Sequence, residues 1–223
     1  MAGKNKDTWF GQLKAKYRKP VTLTGRYYKV AKRMLLDTSE LFNRKGIHYF
    51  LDAGGLLGLV REGDLIPWDD DLDMIIPVTE LEKFRKNKIW LWLKGWRITE
   101  DSLMPEDGPC WKKGDPRSIK IRNRNFTFFG RGRLVMDVSL AYRHEGYYWR
   151  GAIGQIWRIP EKYFDTHDVI PFSGGKIHVP NEHEDYLTFI YGDWKTPKQD
   201  HDPVHDDGSR YCRLKEWSEK NRS

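Results

Sequence analysis

The chain has 223 residues, of which 32% are charged and 14% aromatic, and its formal net charge is +7. This length suits one large domain with a real hydrophobic core, and the aromatic content excludes an intrinsically disordered chain. Cys110 and Cys212 have neither metal-ligand spacing nor a disulfide framework, which predicts a reduced, cytoplasmic setting. No apolar run approaches the roughly 18 residues that span a bilayer, so we expect no transmembrane segment, although a peripheral membrane site stays open.

The positive charge is concentrated in the first 33 residues, which contain ten Lys and Arg against Asp7 alone. An arm of this kind attracts an anionic polymer, a nucleic acid or an anionic membrane surface, or is a solvated tail. We therefore divide the chain into a basic N-terminal arm (1–24), a folded domain (25–200) and a C-terminal extension (201–223).

The predicted elements begin with a helix over 27–44, where apolar residues recur at helical spacing until Gly46 ends it. A capping box of Thr79 and Glu82 predicts the start of another helix. Residues 101–116 and 192–223 are expected to be mostly loop. In chain order, the remaining predictions are a strand at 47–51, a helix at 55–60, a strand at 72–76, a helix at 79–92, strands at 96–99, 118–121, 126–129, 134–142, 168–172 and 176–179, and a helix at 182–191.

An acidic cluster stands directly before the strand predicted at 72–76. Asp69, Asp71 and Asp73 alternate, so in an extended strand they would share one face, while Asp70 would point away. Carboxylates crowded on one face repel each other unless a cation lies among them, and hard divalent cations prefer such oxygens. The pattern favours a metal site.

A further carboxylate, Asp137, lies in the strongest predicted strand between Met136 and Val138. Because an unpaired buried carboxylate is costly, Asp137 is expected to join the acidic cluster and complete a metal-binding trio. Two metal ions about 4 Å apart can activate an attacking hydroxyl and stabilise a leaving phosphate oxygen.

The glycine pair Gly54-Gly55 precedes a short predicted helix, and its backbone N–H groups can bind phosphate. Arg61, about one turn further on, can add positive charge. Together with the carboxylates, these residues indicate phosphoryl transfer from a nucleotide with Mg²⁺ or Mn²⁺.

Other interpretations of the acidic residues compete with a two-metal site. An EF-hand loop fits the aspartate spacing and Glu80, but its sixth position, normally Gly, is Met74. A solvated acidic turn fits the cluster alone, and Asp137 and the glycine pair count against it. A second candidate metal cluster near the C-terminus is better explained as polar surface; it contains His201, Asp202, His205, Asp206 and Asp207.

Two blocks of sequence resemble the LicD and fukutin family. The first is FLDAGGLLGLVREGDLIPWDDDLDM, and the second, about 100 residues later, is GGKIHVPNEHEDYLTFIYGDWKTP, from Gly174 to Pro197. The resemblance covers roughly residues 25–200. Within it, Ala53 before the glycine pair and the extra charge of Asp70 depart modestly from the family pattern.

The resemblance implies an α+β, nucleotidyltransferase-like fold with a small mixed sheet flanked by helices. It also implies transfer of a phospho-alcohol, such as phosphocholine or ribitol phosphate, from a CDP-activated donor to a hydroxyl on a glycan or related polymer, releasing CMP. The alternatives are a nucleotidyltransferase that adds NMP to a nucleic acid, protein or small molecule, and a non-catalytic module that binds an anionic polymer.

The same resemblance suggests roles for individual residues. Asp71 and Asp73 would be metal ligands and catalytic, Asp69 a further ligand, and Asp137 either a ligand or the general base. The donor phosphates would be bound by Gly54, Gly55 and Arg61. The pocket would be shaped by Tyr191, Gly192 and Trp194.

Overall fold

A computed structural model describes residues 21–124, 131–152, 154–198, 202 and 205–221. The α-helices are α1 (Gly25–Lys45), α2 (Ala53–Arg61), α3 (Leu81–Asn87), α4 (Ile89–Leu93), α5 (His183–Tyr191) and α6 (Leu214–Lys220). Two 3₁₀ turns span Val78–Glu80 and Glu161–Tyr163. The strands are β1 (Phe50–Asp52), β2 (Leu72–Pro77), β3 (Arg97–Leu103), β4 (Pro116–Arg124), β5 (Arg131–His144), β6 (Tyr147–Ala152), β7 (Gln155–Pro160), β8 (His167–Phe172), β9 (Gly175–Pro180) and β10 (Arg210–Arg213).

Eight of these strands form one mixed sheet. The order is β1-β2-β5-β6-β7-β10, with β4 on β5 and β3 outside β4. Strands β2 and β5 pair in parallel, whereas β1 and β4 run antiparallel to their partners β2 and β5. Strands β8 and β9 form a separate hairpin. The mixed sheet with its helices confirms the predicted α+β class.

Helix α1 covers the core as its sequence pattern predicts. The helix ends at Gly46, whose φ of 62° lies in the left-handed region and whose N–H bonds to the Asn43 carbonyl. Burial of one face provides most of the stability of such a helix. That buried face consists of Ala31, Met34, Leu35, Thr38, Ser39, Leu41 and Phe42.

Strand β2 is apolar on both sides of its single carboxylate. Leu72, Met74, Ile75 and Ile76 are fully buried, and Asp73 stands between the first two. A strand in the middle of a sheet that is covered on both faces needs this near-continuous apolar composition. The burial of Met74 within β2 also rules out an EF-hand loop, because position 6 of such a loop turns sharply.

Several elements differ from the expectations. The capping box fails because residues 78–80 form a 3₁₀ turn, and the helix begins only at Leu81 and is interrupted at Lys88. The strand expected at 126–129 lies outside the described residues. Strand β3 extends to Leu103, into the segment expected to be loop.

The aromatic segment after β5 forms two strands that the sequence did not reveal, β6 and β7. In β6, Tyr148 and Trp149 are both buried, which obscures the strict alternation by which a half-buried strand is recognised. The C-terminal region, expected to be mostly loop, contributes β10 and α6 in its described part. Thus residues beyond 200 complete the main sheet, while the domain boundaries stay predictions.

None of the helices described is long and apolar enough to cross a membrane.

Candidate active site

Three carboxylates stand side by side across the central strands. Asp52 on β1 lies opposite Asp73 on β2, and Asp73 lies opposite Asp137 on β5. Directly paired residues on neighbouring strands present their side chains on the same face, about 5 Å apart. The sheet register therefore builds a row, Asp52, Asp73 and Asp137, which we call the carboxylate row.

Asp52 ends the row as a fully satisfied buried ion. Its Oδ2 accepts a hydrogen bond from Arg150 Nη1 at 2.9 Å, and its Oδ1 accepts one from the Tyr186 hydroxyl at 2.7 Å. Asp52 is 2% exposed. Burial and the nearby Asp52 raise the pKa of Tyr186 well above its ordinary value, so the tyrosine remains a donor. Asp52 thus fixes the Arg150 guanidinium beside the row.

Asp137 ends the other side of the row with one oxygen bound and one unsatisfied. Its Oδ2 pairs with the ammonium of Lys120, which lies opposite it in the β4–β5 pairing. Its Oδ1 is buried and has no hydrogen-bond partner among the described residues. Leaving a buried charged acceptor unsatisfied is costly. The position of Asp137 therefore fits a site that receives a cation.

Asp73 lies between these two residues and meets negative charge on several sides. Burial is the main cause that raises its pKa well above the ordinary aspartate range, followed by the carboxylates of Asp71, Asp52 and Asp137. Arg150 acts in the opposite direction. Without a cation, the site favours holding a proton at Asp73.

The acidic loop, Asp69–Asp71, supplies further carboxylates to the same place. Its three aspartates precede β2, so the predicted alternation of Asp69, Asp71 and Asp73 along one strand is wrong. Asp70 does not point away as expected: one oxygen from each of the three aspartates lies within 4.8 Å of the others. The loop gathers its carboxylates by turning, and a strand could not bring all three together.

The acidic loop also has shifted proton affinities. Burial raises the pKa of Asp69 to about 6 and that of Asp71 to about 7. For Asp71, the carboxylates of Asp69, Asp70 and Asp137 add to the effect, while Lys120 opposes it. Groups so placed are stabilised by either a proton or a metal ion.

Helix α2 begins against this loop with an unusual backbone. Ala53, its first residue, has a φ of 49°, in a left-handed region that non-glycine residues rarely adopt. A Cβ added to Gly54 would lie 2.0 Å from Oδ2 of Asp69. Gly54 is thus required by the close approach of the Asp69 carboxylate. Gly55 is buried against Leu51 and lies away from the lining of the cleft described next.

The carboxylates open into a cleft of about 590 Å³. Of the residues predicted to bind the donor phosphates or to shape the pocket, three line it, together with the acidic loop: Gly54, Arg61 and Tyr191. Arg61 forms an ion pair with Glu62 at 2.7 Å and donates to the Trp194 carbonyl at 3.2 Å. These contacts hold the guanidinium of Arg61 at the wall of the cleft.

The C-terminal motif supports this wall. Burial is the main cause that raises the pKa of Tyr191 well above its ordinary value. Trp194 is buried outside the lining and donates through Nε1 to Thr188 Oγ1 at 3.1 Å. Gly192 ends α5 with a φ of 64° and is not part of the lining. Of the three predicted pocket residues, only Tyr191 faces the cleft.

Several lining or supporting residues were missed. Asp207 belongs to the polar C-terminal cluster that was interpreted as surface, yet it lines the cleft, and burial raises its pKa. In the same cluster, Asp202 pairs with His205 at 2.7 Å, and His201 lies outside the described residues. Among these missed residues, only Asp52 had a sequence signal comparable to that of Asp137, because it is a carboxylate at the end of an apolar run. Further missed residues include Lys120, Arg150, Trp68, Ser139, Trp157 and Lys198.

Comparison with known sequences gives this site a family context. The family described as LicD/FKTN/FKRP, nucleotidyltransferase domain, matches residues 46–182. The matched segment contains α2, the acidic loop and the whole carboxylate row.

Curated relatives extend the comparison. The chain is 27% identical over 157 residues to ribitol 5-phosphate transferase FKRP of Homo sapiens, covering 66% of this chain and 28% of the relative. It is 26% identical over 175 residues to ribitol-5-phosphate transferase FKTN of Homo sapiens, covering 77% of this chain and 34% of the relative. The chain therefore spans about a third of the length of these relatives.

Among solved structures, the chain is similar to the lincosamide antibiotic adenylyltransferase LnuA with lincomycin bound. The TM-score is 0.43 at 15% identity, over 84% of this chain and 97% of that chain.

Proposed function

This chain belongs to the LicD/FKTN/FKRP family, and we propose that it transfers a phospho-alcohol from a CDP-activated donor to an acceptor hydroxyl, releasing CMP. Family membership and the named relatives identify it as an enzyme. The observation that carries the proposed reaction is the carboxylate row, in which a buried oxygen of Asp137 has no partner among the described residues.

The donor class rests on the relatives. Both named relatives are ribitol 5-phosphate transferases, which supports a phospho-alcohol as the transferred group. A glycan or related polymer is the acceptor class that we propose. Because the chain spans about a third of the relatives, the alcohol is to be identified by experiment, with ribitol and choline as the first choices.

A divalent cation, Mg²⁺ or Mn²⁺, is proposed as the cofactor. The residues fit it: Asp71, Asp73 and Asp137 would hold it, with Asp69 as a further ligand, and all are hard oxygen donors. When bound, the cation would neutralise the phosphate charge that develops during transfer. The unpartnered Asp137 Oδ1 and the raised pKa of Asp73 both support a cation at this place.

The cleft also offers fixed positive groups to the donor. Arg61, Arg150 and Lys198 line it, and the N-terminus of α2 begins at Ala53 beside them. Arginine guanidinium groups and helix N-termini bind phosphate oxygens well. We propose that these groups contact the donor diphosphate.

In the transfer step, the acceptor oxygen forms a bond to the phosphorus that carries the alcohol. The bond from this phosphorus to the bridging oxygen breaks, and CMP leaves with that oxygen. The proton of the acceptor hydroxyl passes to a carboxylate oxygen that lines the cleft. The protein mainly positions the reactants and stabilises charge, as phosphoryl transfer requires.

A thermal-shift panel tests the donor class. CDP-ribitol, CDP-choline, CDP, CTP and ATP are each added with Mg²⁺ or with EDTA, and the melting temperature is recorded. We expect a CDP-alcohol with Mg²⁺ to stabilise the protein more than CTP or ATP does. Equal stabilisation by CTP or ATP, followed by pyrophosphate release, would instead identify an NMP-transferring enzyme. No response to any nucleotide would favour a non-catalytic binding module.

A further inference from the structure

Helix α4 exposes a concentrated apolar surface. Ile89, Trp90, Trp92 and Leu93 are 50%, 46%, 44% and 62% exposed, whereas Leu91 between them is fully buried. Large exposed hydrophobic side chains elsewhere in the described chain are scattered: Trp68, Leu103, Val169 and Tyr211. Contiguous apolar patches mark interaction sites more often than single exposed side chains do. We call Ile89, Trp90, Trp92 and Leu93 the α4 patch.

Cations surround both indoles of the α4 patch. Arg44 and Lys45, at the end of α1, lie 5.4 and 5.9 Å from the centroid of Trp90. The guanidinium of Arg124 lies 5.1 Å from the centroid of Trp92 and donates to its carbonyl at 3.3 Å. Each indole thus has at least one cationic side chain within 6 Å of its ring centroid.

Acidic residues near the α4 patch are already engaged. Glu100 pairs with Lys88 at 2.5 Å and with Arg85 at 2.8 Å, and Asp37 and Glu40 pair with Lys94 at 2.9 and 2.6 Å. Among the described residues these charges are offset locally, so Arg44 and Lys45 leave a positive surface beside Trp90. An anionic partner is therefore favoured.

We propose that the α4 patch and its cations dock the protein on the surface of an anionic lipid bilayer. Tryptophan favours the boundary between headgroups and acyl chains, where its ring is apolar and its N–H remains hydrated. Neighbouring arginine and lysine side chains would contact the lipid phosphates. Five residues of helix are too short to span a bilayer and suit shallow insertion.

A second copy of the chain fits this surface less well. In a two-fold contact, the same patch meets itself, so the cations around Trp90 and Trp92 would face one another. A bilayer offers negative charge and apolar depth together. None of the α4 patch residues lines the catalytic cleft. Docking through the patch therefore uses no side chain of the cleft.

Vesicle co-sedimentation of the full chain tests the docking surface. The vesicles are pure phosphatidylcholine, or phosphatidylcholine mixed with phosphatidylglycerol. The wild type should bind the anionic vesicles only, and Trp90→Ser with Trp92→Ser should lower the partition coefficient by about tenfold. The matched control, Leu103→Ser with Val169→Ser, removes exposed apolar side chains elsewhere and should bind like the wild type.

A second variant and a second measurement guard against misfolding. Ile89→Ser with Leu93→Ser changes the most exposed patch residues, and thermal melting confirms that each variant is folded. The proposal predicts weaker binding for this variant as well. It is overturned if the wild type does not bind anionic vesicles, or if folded patch variants bind as tightly as the wild type. Loss of a dimer in the patch variants, without any effect on vesicles, overturns it in favour of self-association.

Discussion

Asp73 lies directly opposite Asp137 where β2 pairs in parallel with β5, and both side chains line the same cleft. The pairing brings together residues 64 positions apart in the chain. Two carboxylates on adjacent strands repel each other, yet only Asp137 has an adjacent cation on its other side, Lys120. The cost of this arrangement is understandable if the site exists to hold a metal ion.

Replacing Asp137 with Asn should abolish stabilisation by metal. The amide keeps the shape of the side chain but removes the charge whose Oδ1 we assign to the cation. We expect Mg²⁺ to raise the melting temperature of the wild type but to leave Asp137→Asn nearly unchanged. Glu219→Gln, an exposed change on α6, is the matched control and should respond like the wild type. An undiminished Mg²⁺ response in Asp137→Asn would remove Asp137 from the metal site.

The stability of the metal-free protein should fall as the pH rises. The pKa values of Asp69 and Asp71 are about 6 and about 7 in the folded chain, above the ordinary value of 3.8. Between the ordinary and the folded pKa values, the folded state therefore binds more protons than the unfolded state. The free energy of unfolding accordingly declines as the pH rises through the folded pKa values.

Thermal melting in EDTA and in Mg²⁺, from about pH 5 to about pH 8, measures this effect. In EDTA the melting temperature should decrease across the range, and the increase caused by Mg²⁺ should be largest at the alkaline end. Asp71→Asn should flatten the decrease. A melting temperature that rises with pH in EDTA would contradict the assigned environment.

Gly54→Ala should damage the site through Asp69. The new Cβ would lie 2.0 Å from Asp69 Oδ2, so the carboxylate must move. A displacement of this size near reacting groups is expected to lower kcat/KM by about a hundredfold. The melting temperature should change little, because alanine is more favourable than glycine in a helix by about 1 kcal/mol, which offsets part of the cost of the clash.

A double-mutant cycle isolates the contact between Gly54 and Asp69. In an Asp69→Ala background, Gly54→Ala should have little further effect on kcat/KM, because the clashing atom is gone. Additive losses would show that Gly54 acts in another way, such as through its own backbone N–H.

Arg150→Met should destabilise the fold strongly. It would leave the buried Asp52 without its ion partner, a change that typically costs about 3–5 kcal/mol. The control is Arg143→Met, which removes an exposed arginine that pairs with Glu161 and Asp165, and it should destabilise the protein far less because solvent screens exposed ion pairs. Urea denaturation measures both, and similar losses for the two variants would contradict a structural role for the Arg150–Asp52 pair.

The sequence predicted those site residues that interrupt an apolar pattern. Asp73 and Asp137 each stand within a buried strand, where a carboxylate is conspicuous. Lys120 and Arg150 each pair with a carboxylate of the row but lie on strands with half-buried positions, where a cation resembles ordinary surface. Their roles depend on the register of β4 with β5 and on the tertiary contact to Asp52, neither of which spacing reveals.

The acidic loop shows a second limit of sequence patterns. Alternation of Asp69, Asp71 and Asp73 suggested one extended strand, but the strand begins only at Leu72. The mutual proximity of Asp69, Asp70 and Asp71 comes from the turn before it. Asp207 was missed for a related reason: its polar segment resembles solvated loop, and only the fold brings it to the cleft.

Release of CMP from a labelled CDP-alcohol is the measurement that tests the proposed function most directly. Wild type, Asp73→Asn and Glu219→Gln are incubated with CDP-ribitol or CDP-choline, a glycan acceptor and Mg²⁺. We predict that the wild type and Glu219→Gln release CMP in step with labelling of the acceptor, and that Asp73→Asn and EDTA each abolish the release. Undiminished CMP release by Asp73→Asn would contradict the assignment of the carboxylate row as the catalytic site.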